Sequence, residues 1–404
     1  ELVGTQKFGK ISKTALLIAE FPVLIKEKLQ IINQINNLKI FEGITGFNGS
    51  TLNEKKFLLQ ARFDGDTEQS IVELIDLRDF KVKYFWSLSE SFAKLIKRYS
   101  YCGQDETKCQ SKLNFIHPFL MDDGGLVFNI LGSLVKIDHN SKLIWQNNQS
   151  IFHHSTERDI DGNFWAPTRI YEENLNRNIP QTIDAISKIS PNGQILFQKT
   201  IKSIFNENFL EDYLTTNNLL TPTQLNDIQP VMNNGEFWEL GDIFISLKGI
   251  SKVVLYRPIT NKIIWISDYH LYHQHDIDII NDHQISIFNN NIKDLFSLDG
   301  GHNEVIIYDF ETKKYSKYMN DALINNDVRT QTEGLAQILD NGDLFIEEQN
   351  FGRTLYFNKD SNLKWQHVNK DFNDQIHEVN WSRIFYSQED INKVSKFLNV
   401  HSIE

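Results

Sequence analysis

Six copies of one strand–turn–strand pattern predict that this 404-residue chain is all-β and folds as a six-bladed β-propeller. The copies begin at residues 72, 134, 186, 253, 305 and 354, so that successive copies lie 49 to 67 residues apart, which fits one four-stranded blade plus variable insertions. Four of the six copies close on a Trp. The copies span Val72–Trp86, Leu134–Gln146, Ile186–Gln198, Val253–Ile266, Val305–Met319 and Thr354–Gln366.

A second set of short apolar segments lies between these hairpins, and several follow a Gly turn such as DDGG or LDNGD. We expect these strands to form the inner part of each blade. The histidine-containing segments just before the turns should then lie near the central channel, where loops from all blades meet. The strands are Lys56–Phe63, Gly125–Ile130, Asn163–Pro167, Asp242–Leu247, Gln284–Asn289 and Asp343–Glu347.

The repeat covers most of the chain, which predicts one propeller domain over residues 46–390. Residues 1–45 are predicted to form an N-terminal helical extension, because apolar positions between Leu29 and Leu38 follow mostly helical spacing. Residues 391–404 are predicted to form a C-terminal helix or tail. Residues 203–224 are predicted to be an insertion, helical and then loop-like, over one face of the propeller.

The sequence allows two roles for the N-terminal extension. Its apolar stretch Ala15–Ile25 is too short to span a bilayer and contains Glu20 and Pro22. The chain starts at Glu1 rather than Met, so we expect a processed or truncated product. The helices then either pack on the propeller or lie beside a membrane anchor absent from this sequence. Membrane proximity through this segment and a homo-oligomer both stay open.

The net charge of −12 argues against nucleic acid as a partner, because binding a phosphate backbone requires a basic surface. Cys102 and Cys109, with six residues between them, are expected to close a small disulfide, which favours an oxidising compartment; the alternative is a pair of unpaired surface thiols. We therefore expect a periplasmic or extracellular protein. No haem signature or adjacent cysteine pair is present, and no cofactor is expected.

The segment Tyr272–Asp276 is the most distinctive polar cluster. On an extended strand His273 and His275 would share one face. An H-x-H pair is able to bind zinc, but a site needs three or four ligands and no further set with suitable spacing supplies them, so no metal is expected. His275 is instead a candidate nucleophile, and the alternative is a histidine satisfied by hydrogen bonds at a blade edge.

The FHH pair, the LNDI stretch, the DIFISLKGISKVVLYRPITNKIIW block and the QHD segment followed by IFNNN together resemble bacterial arylsulfate sulfotransferases over residues 110–370. The resemblance implies a six-bladed propeller that moves a sulfuryl group from a phenolic sulfate ester to a phenol through a sulfated histidine. It matches His275 to that histidine, and His154 to one that binds the sulfuryl group or assists proton transfer. It also places Asn226 in an H-x-N motif and Thr332 near a sulfate-binding threonine.

Two positions depart from the family pattern. Gln224 replaces the His of H-x-N and cannot take up or release a proton near neutral pH. Lys248 replaces the Arg of an S-x-R strand, and it keeps the positive charge but not the planar fork that grips two oxygens at once. Two hypotheses follow: an enzyme acting on a small aryl sulfate and a phenol, with weakened activity, or a non-catalytic propeller used for binding or assembly.

Overall fold

The structure is a computed structural model that describes residues 41–88, 92, 113–172, 181–214, 223–292 and 301–401. The predicted helices at residues 10–40 and the predicted disulfide between Cys102 and Cys109 lie outside the described residues. None of the described helices is long and apolar enough to cross a membrane.

The described residues form strands of two to nine residues and three α-helices, with 3-10 turns at Glu211–Leu214, Lys248–Ile250 and Gln349–Phe351. The strands are β1 (Gly46–Gly49), β2 (Phe57–Asp64), β3 (Gln69–Asp76), β4 (Lys81–Ser87), β5 (Ile116–Leu120), β6 (Leu126–Ile130), β7 (Ser133–Ile137), β8 (Leu143–Asn147), β9 (Ile151–Phe152), β10 (Glu157–Arg158), β11 (Phe164–Glu172), β12 (Gln181–Ile189), β13 (Ile195–Thr200), β14 (Leu225–Pro230), β15 (Ile243–Leu247), β16 (Lys252–Arg257), β17 (Lys262–Ile266), β18 (His275–Ile279), β19 (Gln284–Asn289), β20 (Glu304–Asp309), β21 (Lys314–Tyr318), β22 (Leu335–Ile338), β23 (Leu344–Glu348), β24 (Arg353–Phe357), β25 (Leu363–Val368) and β26 (Arg383–Phe385). The helices are α1 (Ile201–Glu207), α2 (Asn320–Asn325) and α3 (Gln388–His401).

The strands build six antiparallel sheets arranged as the blades of a propeller, which confirms the predicted fold class. From the axis outward the strand orders are β26-β2-β3-β4 in blade 1, β5-β6-β7-β8 in blade 2, β10-β11-β12-β13 in blade 3, β14-β15-β16-β17 in blade 4, β18-β19-β20-β21 in blade 5 and β22-β23-β24-β25-β1 in blade 6. The short β9 also pairs with β11. The six predicted hairpins are the two outer strands of the blades, and the second predicted set supplies the second strands. The innermost strands are a further set, and in blades 3 to 6 each of them, from β10 through β14 and β18 to β22, contacts the next.

The ring closes at two places. β26, from near the C-terminus, pairs with β2 and becomes the innermost strand of blade 1. β1 pairs with β25 on the outer edge of blade 6. Closure by strands from both ends of the described chain fixes blades 1 and 6 side by side.

The tryptophans that end the predicted hairpins contact the following blade. The Nε1 of Trp86 donates to the carbonyl of Gly124 in blade 2, and that of Trp145 donates to the carbonyl of Pro191 in blade 3, both at 3.0 Å. The ring of Trp265 stacks on Tyr308 of blade 5, with centroids 4.8 Å apart. These residues therefore join neighbouring sheets, as large amphipathic aromatic side chains do at interfaces.

The C-terminal helix α3 buries Val394 and Phe397 against the core of blades 1 and 2. The Phe397 ring lies 4.8 Å from that of Tyr84. Gly124, at φ +76°, lies under the Phe397 ring, so this position has neither the backbone conformation nor the space for a larger residue. The insertion predicted at 203–224 overlaps α1, which begins two residues earlier at Ile201, is capped by Thr200 and packs between blades 3 and 4.

A polar side chain of one blade holds the first residues of the next blade's innermost strand, all around the ring. This pattern satisfies backbone groups that would otherwise be buried without partners at the bends. The contacts are Ser70 with the N–H of Phe115 (3.1 Å), Asn129 with the carbonyl of His154 (2.8 Å), Asp184 with the N–H of Leu225 (3.0 Å), Asn226 with the carbonyl of Gln274 (2.8 Å), Asp276 with the N–H of Ala336 (2.9 Å) and Glu347 with the N–H of Trp381 (2.7 Å).

Acidic side chains gather around the axis beneath these bends. The Arg383 guanidinium pairs with Glu157 and holds the pKa of that carboxyl down to about 2, although burial opposes the shift. Burial, and next the charge of Glu157, raise the pKa values of Asp227 and Asp278 to about 7. Burial also raises the pKa of Asp276. The Arg383 guanidinium, already paired with Glu157, thus acts on two further carboxyl groups, Asp276 and Asp278, that bind protons more tightly than usual.

These raised pKa values predict a pH-dependent stability. Between about pH 4 and pH 7 the unfolded chain has released the Asp278 proton while the folded chain keeps it, so the stability due to this group is present below pH 4 and lost as the pH rises to 7. Asp278→Asn removes that ionisation. We expect the variant to be about 1–3 kcal/mol more stable than the parent at pH 8 and nearly equal to it at pH 4.

Urea unfolding at the two pH values measures this difference. Asp360→Asn, at an exposed position in the turn between β24 and β25, serves as the control and should change stability little at either pH. An Asp278→Asn variant that loses stability at pH 8 would show that the ionised carboxylate is well accommodated.

Candidate active site

One residue with left-handed backbone conformation lies at the start of every innermost strand. Such conformations are uncommon outside glycine and cost free energy, so their recurrence at one end of the channel marks that end as a site under constraint. The residues, in order from blade 1 to blade 6, are Trp381, His117, His154, Gln224, His273 and Glu333, with φ between 43° and 64°.

His275, the predicted nucleophile, is the first residue of β18 and is fully buried. Its Nδ1 lies 2.7 Å from Oδ1 of Asn290 and 3.0 Å from the carbonyl oxygen of His273. Because both partners accept, Nδ1 carries the proton. Nε2 is then the unprotonated nitrogen, and it accepts a hydrogen bond from the backbone N–H of Glu333 at 3.2 Å.

The orientation of Asn290 is itself fixed. Its Nδ2 donates to the carbonyl oxygens of Thr330 (3.0 Å) and Glu333 (2.8 Å), so its Oδ1 must face the histidine. Asn303 in turn donates to the carbonyl of Asn290 at 2.9 Å. A buried polar network of this kind sets one histidine tautomer and one ring orientation.

His154 lies on the connection from blade 2 to blade 3, and its ring centroid is 6.1 Å from that of His275. Its Nδ1 is 2.8 Å from Nδ1 of His153, so one of the two nitrogens carries a proton and the other accepts it. Nε2 of His153 has no hydrogen-bond partner among the described residues. The two predicted histidines are thus brought together from parts of the sequence 121 positions apart (275 minus 154).

Lys248 and Thr332 meet above the same site. Lys248 begins the 3-10 turn after β15, and its Nζ donates to the Thr332 hydroxyl at 2.8 Å. The backbone N–H of Thr332 donates to the side chain of Asn350 at 3.0 Å, in the equivalent turn of blade 6. A cation on blade 4 therefore reaches over to a hydroxyl on blade 6, on the far side of His275 in blade 5.

Gln224 and Asn226 flank the start of β14. The carbonyl of Gln224 accepts from the backbone N–H of Lys248 at 3.2 Å, which ties the lysine turn to this bend. Asn226 is buried, and its Nδ2 donates to the carbonyl of Gln274, directly before His275. Its Oδ1 has no hydrogen-bond partner among the described residues. In this arrangement Asn226 supports the segment that carries His275.

Burial and nearby charge disfavour protonation of the histidines of the site, so their pKa values are lowered. Burial, and next the Lys248 ammonium, hold the pKa of His275 well below its usual value. Burial also holds down the pKa of His154, and the adjacent His153, which disfavours a second proton on the pair, and then the Lys248 ammonium add to the shift. The same two causes, burial and then Lys248, lower the pKa of His273. An unprotonated imidazole beside a fixed ammonium is suited to attack an anionic electrophile.

The H-x-H segment is not the extended strand that the sequence suggested. β18 begins only at His275, and His273 adopts a left-handed conformation with its carbonyl turned to the His275 ring. The two rings consequently do not share a strand face. In the described parts of the chain, no group of three or more His, Cys, Asp and Glu side chains is placed to hold a metal ion.

Sequence reasoning missed three contributors: Asn290, the backbone N–H of Glu333, and Arg169. Asn290 lies in the IFNNN stretch, which contributed to the family resemblance, but the sequence assigned no function to its three asparagines. The Glu333 N–H leaves no trace in side-chain patterns, although the following Gly334, at φ +86°, marks a sharp bend. Arg169 lies on β11 with Nε 3.3 Å from Asp184, and no motif singled it out.

The family model described as arylsulfotransferase (ASST) matches residues 117–370. No curated protein matches the chain. Among solved structures, a protein of unknown function from Bacteroides caccae shares 11% identity with a TM-score of 0.50, covering 78% of this chain and 94% of that one.

Virginiamycin B lyase from Staphylococcus aureus also shares 11% identity, with a TM-score of 0.37 over 63% of this chain and 70% of that one. At such identities the structural matches concern the fold alone. The family model is different, because its match covers more than half of the sequence, including His154, Asn226, Lys248, His275 and Thr332. The chain belongs to the arylsulfotransferase family.

Proposed function

We propose that the protein transfers a sulfuryl group from an aryl sulfate ester to a phenol, with His275 as the covalent carrier. The observation that carries this proposal is the fixed state of His275: Nδ1 is held protonated by Asn290 and His273, and Nε2 keeps its lone pair. Such an imidazole is a nucleophile without needing to lose a proton first.

In the first half-reaction Nε2 of His275 attacks sulfur, the N–S bond forms, and the S–O bond to the aryl group breaks in line with it. The phenolate leaves and takes up a proton. Lys248 and the Thr332 hydroxyl are placed to bind the equatorial sulfuryl oxygens, whose charge must be neutralised in such a transfer. Attack requires Nε2 to give up its hydrogen bond to Glu333, and the N–H released there becomes a further donor to a sulfuryl oxygen.

In the second half-reaction the oxygen of an acceptor phenol attacks the sulfur on His275, and the N–S bond breaks. The phenolic proton must be removed at this step. His154 is the candidate acceptor of that proton, because its neutral ring lies beside His275 and is linked to a second neutral histidine, His153. The order of release and binding gives ping-pong kinetics.

The first prediction concerns the covalent intermediate. After incubation with 4-nitrophenyl sulfate and no acceptor, intact-mass spectrometry should find one added SO3 group, and peptide mapping should locate it on His275. His275→Ala should carry no such group and release no nitrophenol. His283→Ala, which removes a partly exposed histidine of the same blade, is the matched control and should behave as the parent. An unmodified parent protein that releases no phenol would contradict the proposal.

The second prediction concerns the tautomer. Asn290→Ala removes the closer of the two acceptors of Nδ1–H and leaves only the carbonyl of His273, and losing such a positioning partner typically costs about 10- to 100-fold in activity. We expect kcat to fall by that amount. NMR of nitrogen-15-labelled histidine should show one Nδ1-protonated form for His275 in the parent and a mixture of tautomers in the variant. A normal kcat with an unchanged tautomer would remove Asn290 from the mechanism.

The third prediction separates a weakened enzyme from a non-catalytic propeller. Gln224→His together with Lys248→Arg restores an acid/base group and a planar bidentate cation to the site. We expect kcat/KM for the aryl sulfate to rise at least about tenfold, since single well-placed donors are worth that much or more. Parent and double variant that are both inactive, although folded, would favour a binding or assembly module descended from such enzymes.

A further inference from the structure

We propose that Arg169 determines specificity by binding an anionic group, such as a carboxylate, on the aromatic ring of the donor or acceptor. The inference rests on the proposed function, because it names the residue that would bind the aromatic part of the substrate in the same site. It would make aromatic acids with a phenolic hydroxyl the preferred acceptors.

Arg169 stands beside the histidine pair. It lies on β11, where it is directly opposite Ile151 of β9 in the strand register. β9 leads straight into His153 and His154, and the N–H of His153 donates to the carbonyl of Pro167 at 3.2 Å. The charge of Arg169 is, after burial, the cause that holds the pKa of His153 down to about 3. The strand pairing and the shared charge effect therefore put the guanidinium on the same side of the site as the histidine pair.

A buried carboxylate holds the guanidinium by one edge. The Nε of Arg169 donates to Oδ1 of Asp184, whose side chain is fully buried. The other oxygen of Asp184 already accepts from the Thr223 hydroxyl (2.6 Å) and from the N–H of Leu225 (3.0 Å). Among the described residues, the Arg169 side chain makes one hydrogen bond, from Nε to Asp184. About a quarter of the side chain (28%) is exposed. The two terminal nitrogens are left to grip a planar anion such as a carboxylate.

The position fits the ring end of the substrate rather than its sulfuryl end. Lys248 and Thr332 bracket the sulfuryl group on the side of blade 6. Arg169 belongs to blade 3, which stands opposite blade 6 in a ring of six. The acceptor phenol must reach His154, the candidate acceptor of its proton, and His154 is hydrogen-bonded to His153, which directly follows the strand that pairs with β11. The ring of the acceptor therefore lies on the side of the site where Arg169 stands.

The test compares a carboxylated ligand with its uncharged methyl ester. 4-Hydroxybenzoate and methyl 4-hydroxybenzoate differ by one negative charge and are used as acceptors with 4-nitrophenyl sulfate as donor. Both compounds are also titrated into the protein by calorimetry, which needs no turnover. We expect the parent to favour the acid about 10- to 100-fold, in kcat/KM and in Kd, as a desolvated charged hydrogen bond allows.

Arg169→Gln keeps a donor for Asp184 but removes the charge, and it should lose this preference in both measurements. Arg78→Gln removes an arginine that pairs with the largely buried Asp76 in blade 1, and it should keep the preference. Thermal unfolding checks that both variants are folded; if Arg169→Gln is not, Arg169→Lys takes its place and should keep only part of the preference.

The outcomes separate this inference from the proposed function. Equal binding of acid and ester by the parent, or a preference that survives in folded Arg169→Gln, overturns the role of Arg169 even if sulfuryl transfer is observed. Acid-selective binding that depends on Arg169 in a protein that transfers no sulfuryl group supports this inference and overturns the proposed function.

Discussion

β26 comes from residues 383–385 and pairs with β2, from residues 57–64, so that blade 1 is built from both ends of the propeller sequence. This pairing closes the ring, and closure turns the starts of the six innermost strands toward one axis. Without it, His154 and His275, separated by more than a hundred positions, would have no reason to meet. In the closed ring each blade keeps only a short outer strand as an exposed sheet edge.

Closing the ring requires strained backbone conformations at the bends, and the same kind of contact supports each of them. Each innermost strand starts with a left-handed residue, and a polar side chain from the preceding blade binds the backbone there. These contacts fix the bends on which the site residues lie. The same burial that demands such partners keeps the histidines neutral and leaves Lys248 as the cation beside them. Structural support and chemical activation therefore arise from one feature, the tightly packed axis of the propeller.

The departures at positions 224 and 248 change the site without dismantling it. Lys248 still reaches the Thr332 hydroxyl, and the backbone of Gln224 still holds the lysine turn in place. What is lost is the second hydrogen bond of a planar cation and a titratable group on blade 4. Arg169 on blade 3 adds a second fixed cation near the histidines, anchored by Asp184.

The sequence alone determined the repeat, the blade count and the candidates His154 and His275. Hydrophobic alternation and short motifs involve residues that are close in sequence, so they are visible without the fold. It also indicated Lys248 and Thr332, through a resemblance carried by contiguous residues. The tertiary structure decided the rest: which His275 nitrogen carries the proton, that Asn290 and the Glu333 N–H contact the two ring nitrogens, and that Arg169 lies near the histidine pair. These features depend on side chains and backbone groups from different blades meeting in space. Hydrogen-bond direction and burial, which set the tautomer and the pKa values, exist only once the ring has closed.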